Sequence, residues 1–293
     1  RVPVYYLSTN IIPRRRRQVI EEVGELLSLN KPVILVSTQT IEAGVDLDFD
    51  MAFRDFAPID SLIQTAGRVN REGKKGKYLP VYIVEFEKDN HYVYELFDRQ
   101  STKILLKNRK EILESEYGTL AEKYYDAALK RGDIDESMRI WEEGILKLQF
   151  DVLQEFKLID NIGEVCDIFV EDGSERATNL ANAYEALLKY EEEFYYDLSK
   201  IFDENIAKKY TGKLDAFERK ALLKLISAKM RDYIIQARIS KVRNNSPVPF
   251  NARGDASSSL YSSSLYWIPP GQLEQYYDKE TGFISDNGDA FIY

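Results

Sequence analysis

Hydrophobic and polar positions alternate between two periods in the first ninety residues. Short apolar runs of strand length occupy 4–8, 33–37, 51–56 and 81–86. Between them, apolar residues spaced three or four apart predict helices over 13–29 and 58–69. Pro13 opens the first helix, and Asp60 or Ser61 caps the second. The nearly continuous apolar run at 33–37 is typical of a strand buried on both faces. Strands that alternate with helices predict a parallel sheet flanked by helices.

The pattern changes after about residue 90. Helical segments with dense charge are predicted over 95–131, 136–157, 175–205 and 213–230. Strands are predicted at 165–170 and 233–242, and a mobile loop over 244–264, which is rich in Ser, Asn, Pro and Gly. We therefore expect an α/β chain that consists of a parallel-sheet domain over 1–90, a helical linker over 91–160 and a mostly helical α+β accessory domain over 161–293.

Composition narrows the possible chemistry. The chain has one cysteine, Cys166, and one histidine, His91, so an internal disulfide, a histidine-based triad and a His-rich metal centre are excluded. Without disulfides or an apolar run of membrane-spanning length, we expect a cytoplasmic protein with no membrane segment and no metal ligands. The net charge of −9 arises after residue 80, because the first eighty residues are slightly basic. A nucleic-acid site would therefore be confined to the first part of the chain.

One candidate site lies on the second predicted helix, at Gln64, Gly67, Arg68 and Arg71. On a helix, Arg68 and Arg71 share a face, and Gln64 lies on that face four residues earlier. Gly67 has no side chain, so another backbone or a ligand can come close. Two guanidinium groups aimed at one place can stabilise charge on a transferring phosphoryl group. The alternative is a surface helix with two solvated arginines.

The second candidate segment follows the strand at 33–37. Thr38 and Thr40 can donate hydroxyl hydrogen bonds to a nucleic-acid backbone. Gly44 permits a tight turn, and Asp46 offers an acceptor to a sugar hydroxyl or a water. The segment leaves the carboxyl end of a strand, where open α/β sheets bind ligands. A polar loop without a ligand is the alternative.

Two basic clusters are further candidates for phosphate contact: the four arginines at 14–17 and the group Lys74, Lys75 and Lys77. Four consecutive residues of a helix point in all directions, so not all of the arginines can reach one partner. We assign the DNA contact to Arg14 and Arg17. A solvated helix start and a solvated loop are the alternatives.

Together, the two candidate segments resemble motifs V and VI of superfamily 2 helicases. The match to motif VI is complete and comprises Gln64, Gly67, Arg68 and Arg71. The match to motif V comprises Thr38, Gly44 and Asp46. The sequence of residues 37–46 and 65–73 is especially similar to that of the CRISPR-associated helicase–nuclease of type I systems. The segments 7–17 and 277–283 also resemble that family. The strong resemblance covers about 1–90.

The resemblance implies a partial second RecA-like lobe followed by a C-terminal domain. In the family, two such lobes sandwich ATP with Mg²⁺, move 3′ to 5′ along single-stranded DNA and act with an RNA-guided surveillance complex. The resemblance gives arginine-finger roles to Arg71 and Arg68 and a DNA-backbone contact to Thr38. It places near the nucleotide the residues Gln64, Gly67, Gly44 and Asp46.

Three motifs of such an enzyme are missing from the sequence: the Gly-Lys-Ser/Thr P-loop, an Asp-Glu-x-His segment and a His-Asp pair. We interpret Arg1 as a cut inside a larger protein, with the first lobe and the metal-dependent nuclease domain upstream or on another chain. The chain alone is expected to bind no ATP and to hydrolyse none. Two alternatives remain: another superfamily 2 DNA-repair or RNA helicase, or a helicase-like module whose acidic surface only binds a partner.

Overall fold

The computed structural model describes residues 1–76, 78–85, 94, 96–131, 134–156, 165–189, 193–242, 247–250 and 265–284. By its internal contacts the chain divides into two compact units. The first unit combines Arg1–Thr40 with Gly163–Tyr293, and the second is Ile41–Ile162. The fold is mixed α/β, as predicted from the alternating pattern. The domain boundaries predicted at residues 90 and 160 stay predictions.

The first unit begins with strand β1 (Val4–Leu7), helix α1 (Pro13–Ser28) and strand β2 (Ile34–Ser37). β1 and β2 pair in parallel, and α1 buries Val19 and Val23, so these predicted elements are confirmed. Burial of β2 on both faces is wrong, because Ile34 and Val36 are about half exposed. Within the described residues this sheet has only two strands, too few to enclose β2.

The second unit contains a parallel pair of strands, β3 and β4, and five α-helices among its described residues. Its elements are β3 (Ala52–Asp55), α2 (Ile59–Ala66), β4 (Val81–Val84), α3 (Leu96–Leu105), α4 (Tyr117–Arg131), α5 (Ile134–Arg139) and α6 (Phe150–Glu155). A π-helical stretch, Ile140–Leu146, continues α5. The apolar core joins α2 to α4 through Ile59, Leu62, Leu120 and Tyr124.

Several predicted boundaries in the second unit are wrong. α2 begins after Pro58, with no side-chain cap, so Asp60 and Ser61 lie inside the helix. The helix predicted over 95–131 is interrupted near Asn108, whose φ of +65° lies in the left-handed region that asparagine tolerates. The helix predicted over 136–157 is interrupted at Leu148, where φ is +55°.

The first unit resumes with a four-stranded mixed sheet. In spatial order its strands are β6 (Ile234–Arg238), β5 (Val165–Val170), β8 (Leu265–Ile268) and β7 (Val248–Pro249). The strand predicted at 165–170 is confirmed. The strand predicted over 233–242 ends at Arg238, where α10 (Ile239–Val242) begins. Of the predicted loop, 244–246 and 251–264 lie outside the described residues, and 247–250 contains β7.

Helices cover this sheet, and the largest apolar core forms between them. They are α7 (Glu175–Leu188), α8 (Glu204–Lys209) and α9 (Ala216–Met230). The predicted helix over 175–205 therefore ends early, at Leu188. Phe169 of β5, Leu180 of α7 and Ile226 of α9 are fully buried in this core. Asp215 caps α9 by accepting the backbone N–H groups of Phe217 and Glu218 at 2.8 Å each.

A C-terminal hairpin contacts the loop between β1 and α1. After α11 (Leu273–Tyr276), strands β9 (Tyr277–Asp278) and β10 (Gly282–Phe283) pair antiparallel. The Phe283 N–H donates to the Asn10 carbonyl at 3.0 Å, and the Ile12 N–H donates to the Tyr277 hydroxyl at 3.0 Å. The segment around 277–283 thus joins the two sequence stretches of the first unit.

Within the described ranges, no helix combines the length and the apolar character that a bilayer crossing requires.

Candidate functional site

The two arginines of the candidate motif VI lie beyond helix α2, not on it. α2 ends at Ala66, and Gly67 forms its C-cap. The backbone then pairs with Phe49, whose N–H donates to the Arg68 carbonyl at 2.9 Å and whose carbonyl accepts the Asn70 N–H at 3.0 Å. Asn70 adopts a φ of +50° and turns the chain. The shared helix face predicted for Arg68 and Arg71 is therefore wrong, because the Asn70 N–H bonds to Phe49 instead of continuing the helix.

The Arg68 guanidinium nevertheless reaches the candidate motif V. Residues 41–49 lie at the start of the second unit, before β3, and we call them the V loop. Nη1 of Arg68 donates to the Val45 carbonyl at 2.6 Å, and Nη2 donates to the Glu42 carbonyl at 2.6 Å. A planar guanidinium fixes two acceptors at once. Arg68 therefore holds the V loop in one conformation.

Arg71 contacts the same loop through its acidic residues. Nε of Arg71 lies 2.9 Å from Oδ1 of Asp46, and the Arg71 backbone N–H donates to Asp48 at 2.8 Å. The Arg71 side chain is 41% exposed and that of Asp46 is 88% exposed. An ion pair this exposed contributes little free energy. The Arg71 guanidinium can therefore exchange Asp46 for a phosphate at small cost.

The two glycines differ in what they permit. Gly44 adopts a φ of +73° with nothing close to the position of a Cβ atom, so it provides a left-handed turn within the V loop. Gly67 has ordinary backbone geometry, and a Cβ there would meet the Gln64 carbonyl at 3.5 Å. Gln64 is exposed on α2. The second unit thus brings together Gly44, Asp46, Arg68 and Arg71.

The candidate nucleic-acid ligands Thr38 and Thr40 belong to the first unit, directly after β2. Their hydroxyl oxygens are 2.9 Å apart, and either can donate to the other. The Thr38 N–H donates to the Leu7 carbonyl at 3.1 Å, which continues the parallel pairing with β1. Both threonines are half-buried and lie at the carboxyl ends of paired strands, as the sequence predicts for a ligand edge.

The basic clusters have partners within their own units. Arg14 donates to the Tyr233 hydroxyl, and its guanidinium carbon lies 5.6 Å from the centre of that ring. Arg17 forms an ion pair with Asp232 at 2.8 Å. In the second cluster, Lys74 pairs with Glu72 and Lys75 with Asp50, while Lys77 lies outside the described residues. A phosphate would have to compete with these partners.

A buried polar network that the sequence did not predict lies beside the site. Nη2 of Arg54 lies 2.7 Å from Oε1 of Glu42 and donates to the Tyr94 hydroxyl at 2.5 Å. Burial raises the pKa of the Glu42 carboxyl, and the adjacent Arg54 guanidinium opposes that rise. The signal was Arg54 itself, a charged residue inside an apolar strand.

Within the described residues, no group of three or more His, Cys, Asp or Glu side chains could hold a metal ion. His91 lies outside them.

Comparison with known proteins finds relatives of this chain. Residues 1–74 match the family model described as "CRISPR-associated nuclease/helicase Cas3, C-terminal". A Cas3 nuclease/helicase of Haloferax volcanii is 38% identical over 108 residues, which are 32% of this chain and 12% of that protein. The predicted resemblance to the C-terminal part of a CRISPR helicase–nuclease is confirmed. A Cas3 helicase of Thermoproteus tenax is 31% identical over 106 residues, 35% of this chain and 17% of that protein.

Solved structures support the fold. The crystal structure of T. fusca Cas3 superposes with a TM-score of 0.52 at 18% identity, over 92% of this chain and 32% of that one. Its ATP complex gives a TM-score of 0.51 over the same shares. This similarity shows the α/β fold alone. The chain spans less than a fifth of the length of the two Cas3 relatives above.

Proposed function

We propose that this chain is part of an ATP-dependent translocase that moves 3′ to 5′ on single-stranded DNA in type I CRISPR interference. The observation that carries the proposal is the placement of Arg68 and Arg71, which both contact the loop that bears Gly44 and Asp46. Groups that act on one transferring phosphoryl group have to be positioned together. The Cas3 names of the curated relatives favour this function over another superfamily 2 helicase.

Arg68 and Arg71 have different roles in this proposal. Arg68 donates to two backbone carbonyls and stabilises the V loop, so its role is positioning in the conformation described. The Arg71 guanidinium pairs with an exposed carboxylate and acts as the arginine finger. Asp46 is exposed enough to accept a hydrogen bond from a ribose hydroxyl. Gln64 and Gly67 complete the nucleotide-facing surface.

The donor set fits the phosphates of ATP, because Arg71 offers a guanidinium that exchanges partners readily. ATP with Mg²⁺ supplies the phosphoryl group, and we propose that the P-loop and the acids that hold Mg²⁺ come from a first RecA-like lobe elsewhere in the same protein or on another chain. The nuclease domain has the same origin. The chain alone neither binds nor hydrolyses ATP.

For DNA, we propose hydroxyl contacts from Thr38 and Thr40 to the backbone of the single strand, because both lie at the ligand edge of the β1–β2 sheet. Arg17 adds a phosphate contact by exchanging the partly exposed Asp232, and Arg14 does so by leaving Tyr233. An RNA-guided surveillance complex delivers the DNA, and the assembly works in the cytoplasm.

The test is Arg71→Ala in the protein assembled with its first lobe and nuclease domain. We expect DNA-stimulated ATP hydrolysis to fall by about 10³-fold or more. Arg109→Ala is the matched control, because the Arg109 side chain is 35% exposed, close to the 41% of Arg71, and forms an ion pair with Glu116 at 2.5 Å in the same unit. Wild-type hydrolysis by Arg71→Ala would show that Arg71 is not the finger.

A further inference from the structure

We propose that Glu42, held by Arg54 and Tyr94, is a positioning residue that fixes the V loop for the reaction. The inference rests on the proposed function and deepens it, because it names groups that act through Arg68 and Asp46 without contacting the nucleotide.

The Glu42 carboxylate is anchored to the framework of the second unit. Its side chain is 10% exposed and that of Arg54 is 18% exposed. Oε1 of Glu42 lies 2.7 Å from Nη2 of Arg54 on β3 and 3.5 Å from the Tyr94 hydroxyl. The nearby Ser61 hydroxyl on α2 lowers the pKa of this carboxyl, against the effect of burial. A strand, a helix and a third segment therefore converge on one acid.

The same residue also contacts Arg68 through its backbone. The Glu42 carbonyl accepts Nη2 of Arg68 at 2.6 Å, and the Val45 carbonyl accepts Nη1 of that arginine. Glu42 is thus fixed at both ends, by its carboxylate to Arg54 of β3 and by its carbonyl to Arg68. Asp46 follows Val45 directly, so the position of Asp46 depends on this double attachment.

An apolar side chain at position 42 could fill the same space, but it would form no directional hydrogen bonds that orient the V loop. A buried ion pair is stable only with good geometry and further hydrogen bonds, and replacing such a pair by apolar residues often costs no stability. The Glu42–Arg54 pair has further hydrogen bonds, because the Tyr94 hydroxyl accepts one from Arg54 and donates one to Glu42. What the network adds is a defined orientation of the V loop.

The variant that tests this is Glu42→Gln, which keeps the shape and removes the charge. The first readout is amide hydrogen exchange in the full chain, at the Phe49 and Asn70 amides that join the V loop to the turn after α2. We expect both to exchange faster by about tenfold or more, while the Leu62 amide within α2 stays unchanged. Glu116→Gln, which breaks an exposed pair, is the control.

The second readout is DNA-stimulated ATP hydrolysis in the assembled protein. We expect kcat to fall by about 10²-fold with little change in KM, the effect of a misplaced catalytic group. Tyr94→Phe, which removes one hydroxyl, should act in the same direction with a smaller effect and serves if Glu42→Gln does not fold. Unchanged exchange at Phe49 and Asn70, or faster exchange throughout the chain, overturns the positioning role. If the wild type itself hydrolyses no ATP, the proposed function fails, and the exchange result alone decides the role of Glu42.

Discussion

Replacing Gly282 by alanine is expected to break the contact between the C-terminal hairpin and the loop before α1. A Cβ atom at this position would lie 2.4 Å from the Asn10 carbonyl oxygen and 2.9 Å from the Ile11 nitrogen. Both neighbours are backbone atoms, which cannot move aside as a flexible side chain can. The φ of Gly282 is +91°, a conformation that alanine rarely adopts. The hairpin would have to leave the loop or deform it.

The expected loss of stability has three parts. The left-handed backbone costs alanine roughly 1–2 kcal/mol. Separation of the hairpin removes the hydrogen bond from Phe283 to Asn10, which contributes about 1 kcal/mol. Overpacking adds about 1 kcal/mol or more. A total of about 3 kcal/mol would lower the melting temperature by roughly 6–12 °C.

Two other glycines of the first unit separate these causes. Gly173 has a φ of +82° but open space at its Cβ position, so Gly173→Ala measures the backbone cost alone. Gly271 has neither a positive φ nor a close neighbour, so Gly271→Ala should be neutral. We expect Gly282→Ala to be the most destabilising variant, followed by Gly173→Ala.

The assay is thermal unfolding followed by tryptophan fluorescence. The chain has two tryptophans, Trp267 in the first unit and Trp141 in the second. A Trp141→Phe background therefore reports on the unit that contains the hairpin. If Gly282→Ala melts at the same temperature as Gly173→Ala, the close contact with Asn10 is absent in solution and the predicted steric cost at Gly282 is wrong.

Two further predictions concern the core and the caps of the first unit. Burial raises the pKa of the Cys166 thiol to about 11, so at pH 8 the folded chain should react with thiol reagents roughly 10²-fold more slowly than the unfolded chain. Because the unfolded chain releases this proton near pH 9.0 and the folded chain retains it, stability should fall as pH rises from 9.0 to about 11; equal labelling rates would contradict this. Asp215→Ala removes two N-cap hydrogen bonds of α9 and should cost about 1 kcal/mol in urea denaturation, whereas an unchanged midpoint would show that the cap is dispensable.

The elements that the sequence predicted correctly are those with strong local signals. Strands β1 and β5 are short apolar runs, and α1 combines a regular apolar face with Pro13 at its start. The long helices were predicted less accurately, because one residue in an unusual conformation is enough to interrupt a helix. Asn108 tolerates positive φ and gave a weak hint, whereas Leu148 at φ +55° gave none, because leucine rarely adopts positive φ.

The residue types of the candidate site could be predicted, but their geometry could not. The match to motifs V and VI identified Arg68, Arg71 and Asp46 as a group, and the structure brings them together. Their placement on one helix was wrong, because the backbone after α2 pairs with Phe49, a partner distant in sequence. The Glu42–Arg54 pair likewise joins residues whose proximity depends on the packed unit.

The first unit is assembled from two stretches of chain with all of Ile41–Ile162 between them. On the ribosome, the loop that contains Asn10 and Ile12 emerges long before Tyr277 and Phe283, which supply its hydrogen-bond partners. Contacts between such distant stretches form slowly. During synthesis, β1, α1 and β2 are therefore made before the C-terminal hairpin that contacts the loop between β1 and α1. A premature stop before Tyr277 leaves that loop with unsatisfied backbone groups and a site for chaperone binding.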